Sequence, residues 1–213
     1  MTSQADHANT FRALHIKGDP VTLYNVWDAG SAKAVGDAGA KAIATGSAPV
    51  AMANGAADGQ QFPLDLALAN IGRISSAVDL PVTMDLEGGY STDPIEAGEN
   101  FARGIAAGPI GFNFEDQVVG GEGLHDIATQ STRIKAARAA CDSTGVPAFI
   151  NARSDIFLKA LKAQIAPTPA MLDEAVTRAR AYAEAGADGF FAVGLMDIAM
   201  IAEQAKSALN WRD

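Results

Sequence analysis

Short, almost continuously apolar runs punctuate this chain, and between them lie longer stretches whose apolar residues recur at helical spacing. Residues 21–27 make one such run, ahead of Asp28-Ala29-Gly30; Pro81-Val82-Thr83-Met84-Asp85 and Pro147-Ala148-Phe149-Ile150-Asn151 make two more. Proline is tolerated at the first position of a strand, and strands covered on both faces show little polar alternation, so these runs predict parallel strands. Leu64, Leu68, Ile71 and Val78 share one face of a predicted helix. Asp93-Pro94-Ile95-Glu96 reads as a helix start, with aspartate as N-cap, proline at the first helical position and glutamate at the third. Thr168-Pro169 and Asp197 mark further starts.

A weak internal repeat organises these elements. Asp37-Ala38-Gly39-Ala40-Lys41-Ala42-Ile43 matches Glu184-Ala185-Gly186-Ala187-Asp188-Gly189-Phe190, and Ala106-Ala107-Gly108-Pro109-Ile110-Gly111-Phe112 is a looser third copy. Each copy reads as a helix end, a glycine suited to the left-handed conformation that stops the helix, and an apolar strand. Strand and helix alternate throughout, which predicts an α/β class with right-handed crossovers. A doubly wound nucleotide-binding sheet would want a glycine-rich phosphate loop after its first strand, but Asp28-Ala29-Gly30-Ser31-Ala32 has one glycine and no Lys-Ser/Thr pair. A TIM-type (β/α) barrel instead gathers polar residues at the C-terminal ends of several strands, which is the pattern present. About six βα units are countable, the last ending in a helix from Asp197 to Leu209, against the eight of a closed barrel. The expectation is a single β/α-barrel domain over residues 1–213, truncated after about six βα units and lacking a seventh strand.

Composition narrows the function classes. The 213 residues, 48% of them hydrophobic, suffice for one buried core. A net charge of −9 repels phosphate backbones, so no nucleic-acid partner is expected. No run of about 18 apolar residues exists, so no membrane span is expected. Residues 1–10 are polar and lack the apolar core of a signal peptide, which makes the cytoplasm the expected location. The single cysteine, Cys141, lies in an alanine-rich helical stretch and reads as a buried thiol; without a clustered Cys/His set, no structural zinc site is indicated.

The strand ends carry the candidate chemistry: Trp27-Asp28, Thr45-Gly46-Ser47, Asp85-Leu86-Glu87, Asn113-Phe114-Glu115-Asp116 and Asn151-Ala152-Arg153-Ser154-Asp155. Counting seven residues on from Gly39 and from Gly108 lands on Gly46 and Glu115, so these two should occupy equivalent positions. Asp85 and Glu87, two apart, would share one side of an extended segment, with Glu115 on the next strand. Carboxylates converging without a basic partner resist ionisation, and a divalent cation removes that penalty. Oxygen-only donors select Mg²⁺ or Mn²⁺ over zinc. The competing reading is a set of surface carboxylates at loop starts. Arg153 offers a planar fork for a carboxylate or phosphonate, or a salt bridge to Asp155 or Asp116. Thr45-Gly46-Ser47 suits an oxyanion. The glycine-rich segment 118–125 reads as a lid, with His125 as an acid or base or as a solvated loop histidine.

In order and spacing, the motifs from Asn25-Val26-Trp27-Asp28 through Ala44-Thr45-Gly46-Ser47, Asp85-Leu86-Glu87-Gly88-Gly89-Tyr90, Asn113-Phe114-Glu115-Asp116-Gln117 and Asn151-Ala152-Arg153-Ser154-Asp155 resemble those of the isocitrate lyase/phosphoenolpyruvate mutase superfamily. The resemblance runs from Leu23 to about Leu195. It implies a β/α barrel, Mg²⁺ (or Mn²⁺), and a small 2-oxo acid or phosphonate substrate. The implied reaction makes or breaks a C–C or P–C bond beside a pyruvate unit, through an enolpyruvate-like intermediate. It implies that Asp85, Glu87 and Glu115 hold the metal, partly through water, and that Asp58 joins this acidic network. Thr45, Gly46 and Ser47, with Trp27 and Asn113, would bind the substrate, and Arg153 its anionic end.

Three departures qualify the likeness. The lyases carry a Lys-Lys-Cys-Gly-His type loop after the Glu115 strand, and Val118 to Asp126 has no cysteine, which argues against isocitrate or methylisocitrate lyase activity. Glu87 stands where aspartate is common. The final strands and helices are absent, so a catalytically inactive truncated member is the alternative to an active enzyme. The family's last helix is exchanged between subunits, and an open barrel exposes strand edges, so a homo-oligomer is expected.

Overall fold

A computed structural model describes residues 2–208. In chain order the elements are α1 (Gln4–Ala13), β1 (Asn25–Val26), α2 (Ala29–Asp37), β2 (Ile43–Thr45), α3 (Ser47–Ala53), α4 (Leu64–Ala77), β3 (Val82–Asp85), α5 (Pro94–Ala106), β4 (Gly111–Glu115), α6 (Ile127–Ser143), β5 (Phe149–Ser154), α7 (Ile156–Lys162), α8 (Pro169–Glu184), β6 (Gly189–Ala192) and α9 (Ile198–Ala208). The strands form a six-stranded sheet in the order β1-β2-β3-β4-β5-β6, every neighbouring pair parallel. This sequential parallel order with helical crossovers is that of a TIM-type barrel. Among the described residues, β1 and β6 each pair on one side only. Leu209, the predicted end of the last helix, and residues 210–213, where no seventh strand was expected, lie outside the described residues.

The repeat corresponds to real helix stops. Gly39, Gly108 and Gly186 follow the C-caps of α2, α5 and α8 and take φ of 97°, 120° and 109°, a region costly for any residue with a Cβ. Asp93 caps α5 as expected, its carboxylate accepting the N–H groups of Ile95 and Glu96. Along the strands, alternate residues face outward: Val26, Ile43, Val82, Met84, Phe112, Phe114, Ile150 and Ala152 pack into one buried cluster with Ile71, Ile74, Phe101, Ile105 and Ile134 of the helices. Cys141 is fully buried in that cluster. No helix among the described residues is long and apolar enough to cross a membrane.

Four elements depart from the sequence reading. The polar N-terminus forms α1, started by a capping box between Ser3 and Asp6. Its Ala8 and Phe11 pack on Ala42, Ile110 and Phe149 at the N-terminal ends of the strands, closing the floor of the sheet. β1 is shorter than the apolar run 21–27: as an edge strand it ladders only through Asn25 and Val26, opposite Ala44 and Thr45. Short α3 and α7 occupy segments where no helix was expected.

Candidate active site

The inward residues of the strands surround a cavity of about 640 Å³. Phe11, His15, Leu23 and Phe149 line its lower part; Gly46, Ser47, Asp58, Asp85, Asn113, Asn151 and Arg153 line its upper part. Asn113 and Asn151 are register partners, and Asn151 Nδ2 donates to Asn113 Oδ1 at 2.9 Å. Gly46 stands where there is no room for a side chain: a Cβ would lie 2.9 Å from Asn25 Nδ2 and 3.1 Å from the Pro49 ring. Gly46 and Val193, the latter seven residues on from Gly186, share this cavity wall, while Glu115 reaches it through its ion pair with Arg153.

Asp85, the last residue of β3, borders this cavity and also a narrow space of about 20 Å³ lined in part by Thr45, Ser47, Glu87 and Tyr90. That space has room for about one water molecule. Asp85 Oδ2 accepts the Ser47 N–H at 3.1 Å, and Oδ1 accepts the Glu87 N–H at 3.3 Å. Glu87 Oε2 accepts the Gln60 N–H at 2.7 Å, and Oε1 the Tyr90 hydroxyl at 3.4 Å. Burial pushes Glu87 up to about 7, against the Gln60 hydrogen bond and helped by the charges of Asp58 and Asp85. Burial likewise pushes Glu115 up to about 8; Arg153 opposes this, while Asp155, Asp85 and Glu87 add to it.

Arg153 ties the acidic groups together. Its Nε and Nη2 fork onto Asp155 at 2.7 and 3.0 Å, Nη2 meets Glu115 Oε2 at 3.0 Å, and Nη1 lies 3.5 Å from Asp85 Oδ2. Burial alone would lower its pKa, but the Asp155 hydrogen bonds and the charges of Glu115 and Asp85 outweigh that and raise it. The salt bridge to Asp155, the alternative reading of Arg153, is therefore present. Asp116 pairs elsewhere, with Arg178 at 3.1 Å and the Tyr182 hydroxyl at 3.0 Å.

Several expectations are corrected. The carboxylates do not converge without a basic partner, because Arg153 stands among them. They are not surface groups either: Glu87 and Glu115 are 4% and 5% exposed. Glu87 does not continue the strand. β3 ends at Asp85, and Glu87 takes φ 51° in a turn, so period-two alternation no longer applies to it. Thr45 is one residue out of phase with the cavity wall; its hydroxyl accepts the Asp85 N–H at 3.1 Å. Trp27 is 43% exposed and is not among the residues lining the cavity. Its carbonyl accepts from Asn70 Nδ2 at 2.9 Å, so its backbone is what the fold uses. His125 lines a separate space of about 130 Å³ with Gln60, Tyr90, Gln117 and Arg133, and burial, then Arg133, lowers its pKa. Among the described residues, no three His, Cys, Asp or Glu side chains are gathered closely enough to hold a metal ion.

The sequence reading did not single out Asn25, Asn151, Gln60 or Tyr90. Asn151 had a signal, since it lies two residues before Arg153 on the same strand face. Gln60 had none, and Tyr90 only its place at the end of the Asp85–Tyr90 motif. Both take left-handed φ, of 60° and 57°, and with Glu87 they make three of the four such non-glycine residues among those described. Each conformation costs on the order of 1–3 kcal/mol and persists only where surrounding contacts enforce it. Gln60 supplies some of these, its side-chain oxygen accepting the N–H groups of Gly88 and Tyr90 at 3.0 and 3.1 Å.

A family model described as phosphoenolpyruvate phosphomutase matches residues 11–210. The chain belongs to this family. A crystal structure of a putative phosphonomutase from Burkholderia cenocepacia J2315 is 46% identical, with a TM-score of 0.92 over 96% of this chain and 80% of that one. The 2-methylisocitrate lyase of Escherichia coli K12 is 31% identical over 196 residues, 89% of this chain. The chain spans 63% of that lyase's length. A phosphonopyruvate hydrolase, solved with oxalate and Mg²⁺, shares the fold at 23% identity, with a TM-score of 0.80 over 97% of this chain and 69% of that one.

Proposed function

We propose that the protein is a Mg²⁺- or Mn²⁺-dependent enzyme that cleaves or rearranges a C–C or P–C bond of a small 2-oxo acid through an enolpyruvate-like intermediate. The observation that carries this reading is the union of Asp85 and Arg153 on one cavity wall, with Glu115 held against the same guanidinium.

The residues suit a hard cation. Every candidate donor is oxygen, and Glu87 and Glu115 are buried carboxylates whose raised pKa values mark negative charge that nearby positive charge would relieve. The carboxylates are too spread to chelate an ion together. Mg²⁺ keeps several of its waters and needs only one or two carboxylates, so Asp85, with Glu87, Glu115 and Asp58 acting through water, is a fitting set. Bound there, the cation would supply positive charge where an enolate oxygen develops.

The chain's own residues account for the rest. Arg153, fixed flat by Asp155, presents a planar cation to the anionic end of a substrate. Asn113 and Asn151 hold each other's amides in place on the cavity wall and offer directional hydrogen bonds. Gly46 lets a substrate oxygen approach the backbone where a side chain would block it. The cysteine-free loop keeps this reading apart from isocitrate-type lyases. Calorimetric titration of Mg²⁺ with oxalate, an enolpyruvate mimic, tests it. Wild type should bind and Asp85→Ala should not; folded wild type without binding, or equal binding by the variant, overturns the proposal. Turnover of oxaloacetate or phosphonopyruvate would then separate an active enzyme from an inactive relative.

A further inference from the structure

Helix α6 carries two buried polar residues one turn apart, Gln130 and Arg133, which the proposed chemistry does not use. Gln130 Nε2 donates to the backbone carbonyl of Glu115 at 3.1 Å, and Gln130 Oε1 accepts from Arg133 Nη1 at 2.6 Å. Arg133 Nη2 donates to the carbonyl of Gly88 and, at 2.7 Å, to that of Ser91. The guanidinium lies over the Phe114 ring, 4.8 Å from its centroid. A continuous hydrogen-bonded path therefore joins the end of β4, where Glu115 sits, to the turn that carries Glu87.

That turn needs outside support. Glu87 and Tyr90 both hold left-handed backbone, and the two carbonyls taken by Arg133 belong to Gly88, between them, and Ser91, just after them. Such conformations survive only where neighbouring contacts over-determine them. Packing against Phe114 does not by itself call for a guanidinium: an apolar side chain would fill the space without the desolvation cost of a buried cation. What leucine or methionine could not do is bond two carbonyls of the turn and, through Gln130, the carbonyl of Glu115. Arginine's fixed fork can do both at once.

We infer that Gln130 and Arg133 are positioning residues that set the distance between the Glu87 turn and the Glu115 strand end, and so the divalent-cation affinity of the proposed site. The inference rests on the metal reading given above. Its test is Mn²⁺ binding to the full chain, followed by the electron paramagnetic resonance signal of free Mn²⁺, well below the melting temperature of every variant. Arg133→Met and Gln130→Met should each weaken Mn²⁺ by about 10–100-fold, the usual effect of removing a group that orients a metal ligand. Arg133→Lys should keep part of the affinity, since an ammonium can still reach one or two carbonyls. Arg138→Lys is the control. Arg138 bonds the carbonyls of Ala148 and Gly186 at the opposite end of the strands, so its loss should lower the melting temperature and leave Mn²⁺ affinity unchanged. Should Arg133→Met fail to fold, Arg133→Lys and Gln130→Met carry the comparison. Folded variants that bind within about threefold of wild type overturn the positioning role while leaving the metal site intact. Wild type that binds no Mn²⁺ overturns the metal site and this inference with it.

Discussion

Replacing Arg153 by methionine keeps an unbranched apolar stem, two atoms shorter, and removes the charge and the fork. The largest loss is the fork onto Asp155, whose side chain is fully buried. Removing one partner of a buried pair costs about 3–5 kcal/mol, because the other charge stays behind without compensation. Three carboxylates do not triple that figure. The Asp85 contact is the longest, at 3.5 Å. Glu115, already pushed up to about 8, will simply keep its proton near neutral pH once the cation that opposes this is gone. One pair is therefore the right unit. For a chain of this size 1 kcal/mol shifts the melting temperature by about 2–4 °C, so Arg153→Met should melt roughly 6–20 °C below wild type. Circular dichroism melts in EDTA near neutral pH measure the gap. A gap within about 1 kcal/mol, the value of an exposed ion pair, would refute the buried-charge reasoning.

The metal-free protein should also lose stability as pH rises from about 5 to about 8. Glu87 and Glu115 have folded pKa values of about 7 and about 8 against an ordinary 4.5, so over that window the unfolded chain has shed protons that the folded chain still holds. Urea unfolding in EDTA across this range checks it, and a stability that climbs instead would show both carboxylates to be ionised in the folded state. Gly46→Ala should displace Asn25 and press on the Pro49 ring, costing about 1–3 kcal/mol by overpacking and weakening oxalate binding. Unchanged oxalate affinity in the folded variant would remove Gly46 from the substrate wall.

How far the sequence could be read depended on how local each cause was. Glycine stops and strand ends are set by neighbouring residues, so the repeat register placed Gly46 and Glu115 at matching strand ends, and Asp85 fell where β3 finishes. The rule of two then failed for Glu87, because it holds only while backbone is extended, and the turn at Gly88-Gly89 begins one residue after Leu86. Partner choice was opaque for a different reason. Arg153 and Glu115 are 38 residues apart, with β4 and β5 in register between them, and nothing in either local segment names the other. Arg133 is harder still: an arginine within a mostly polar helix reads as solvated, whereas here it is 1% exposed because Gly88 and Ser91 bring carbonyls to it. The helix α1 was passed over because its buried surface is small, chiefly Ala8 and Phe11.

That first helix has a consequence for the order in which the molecule is built. Its partners lie far along the chain: Gln4 bonds the carbonyls of Ile105 and Pro109, Phe11 meets Phe149 edge-on, and Arg12 pairs with Asp188. Contacts of such long sequence separation form late, because the intervening chain must first be ordered. At ribosomal rates of about 5–20 residues per second, roughly 9–35 s separate the synthesis of Arg12 from that of Asp188. Phe149, the last of the core residues that receive Phe11, is itself made roughly 7–28 s after Phe11 at those rates. The segment made first thus waits for partners as far along as Asp188 before it can dock in full.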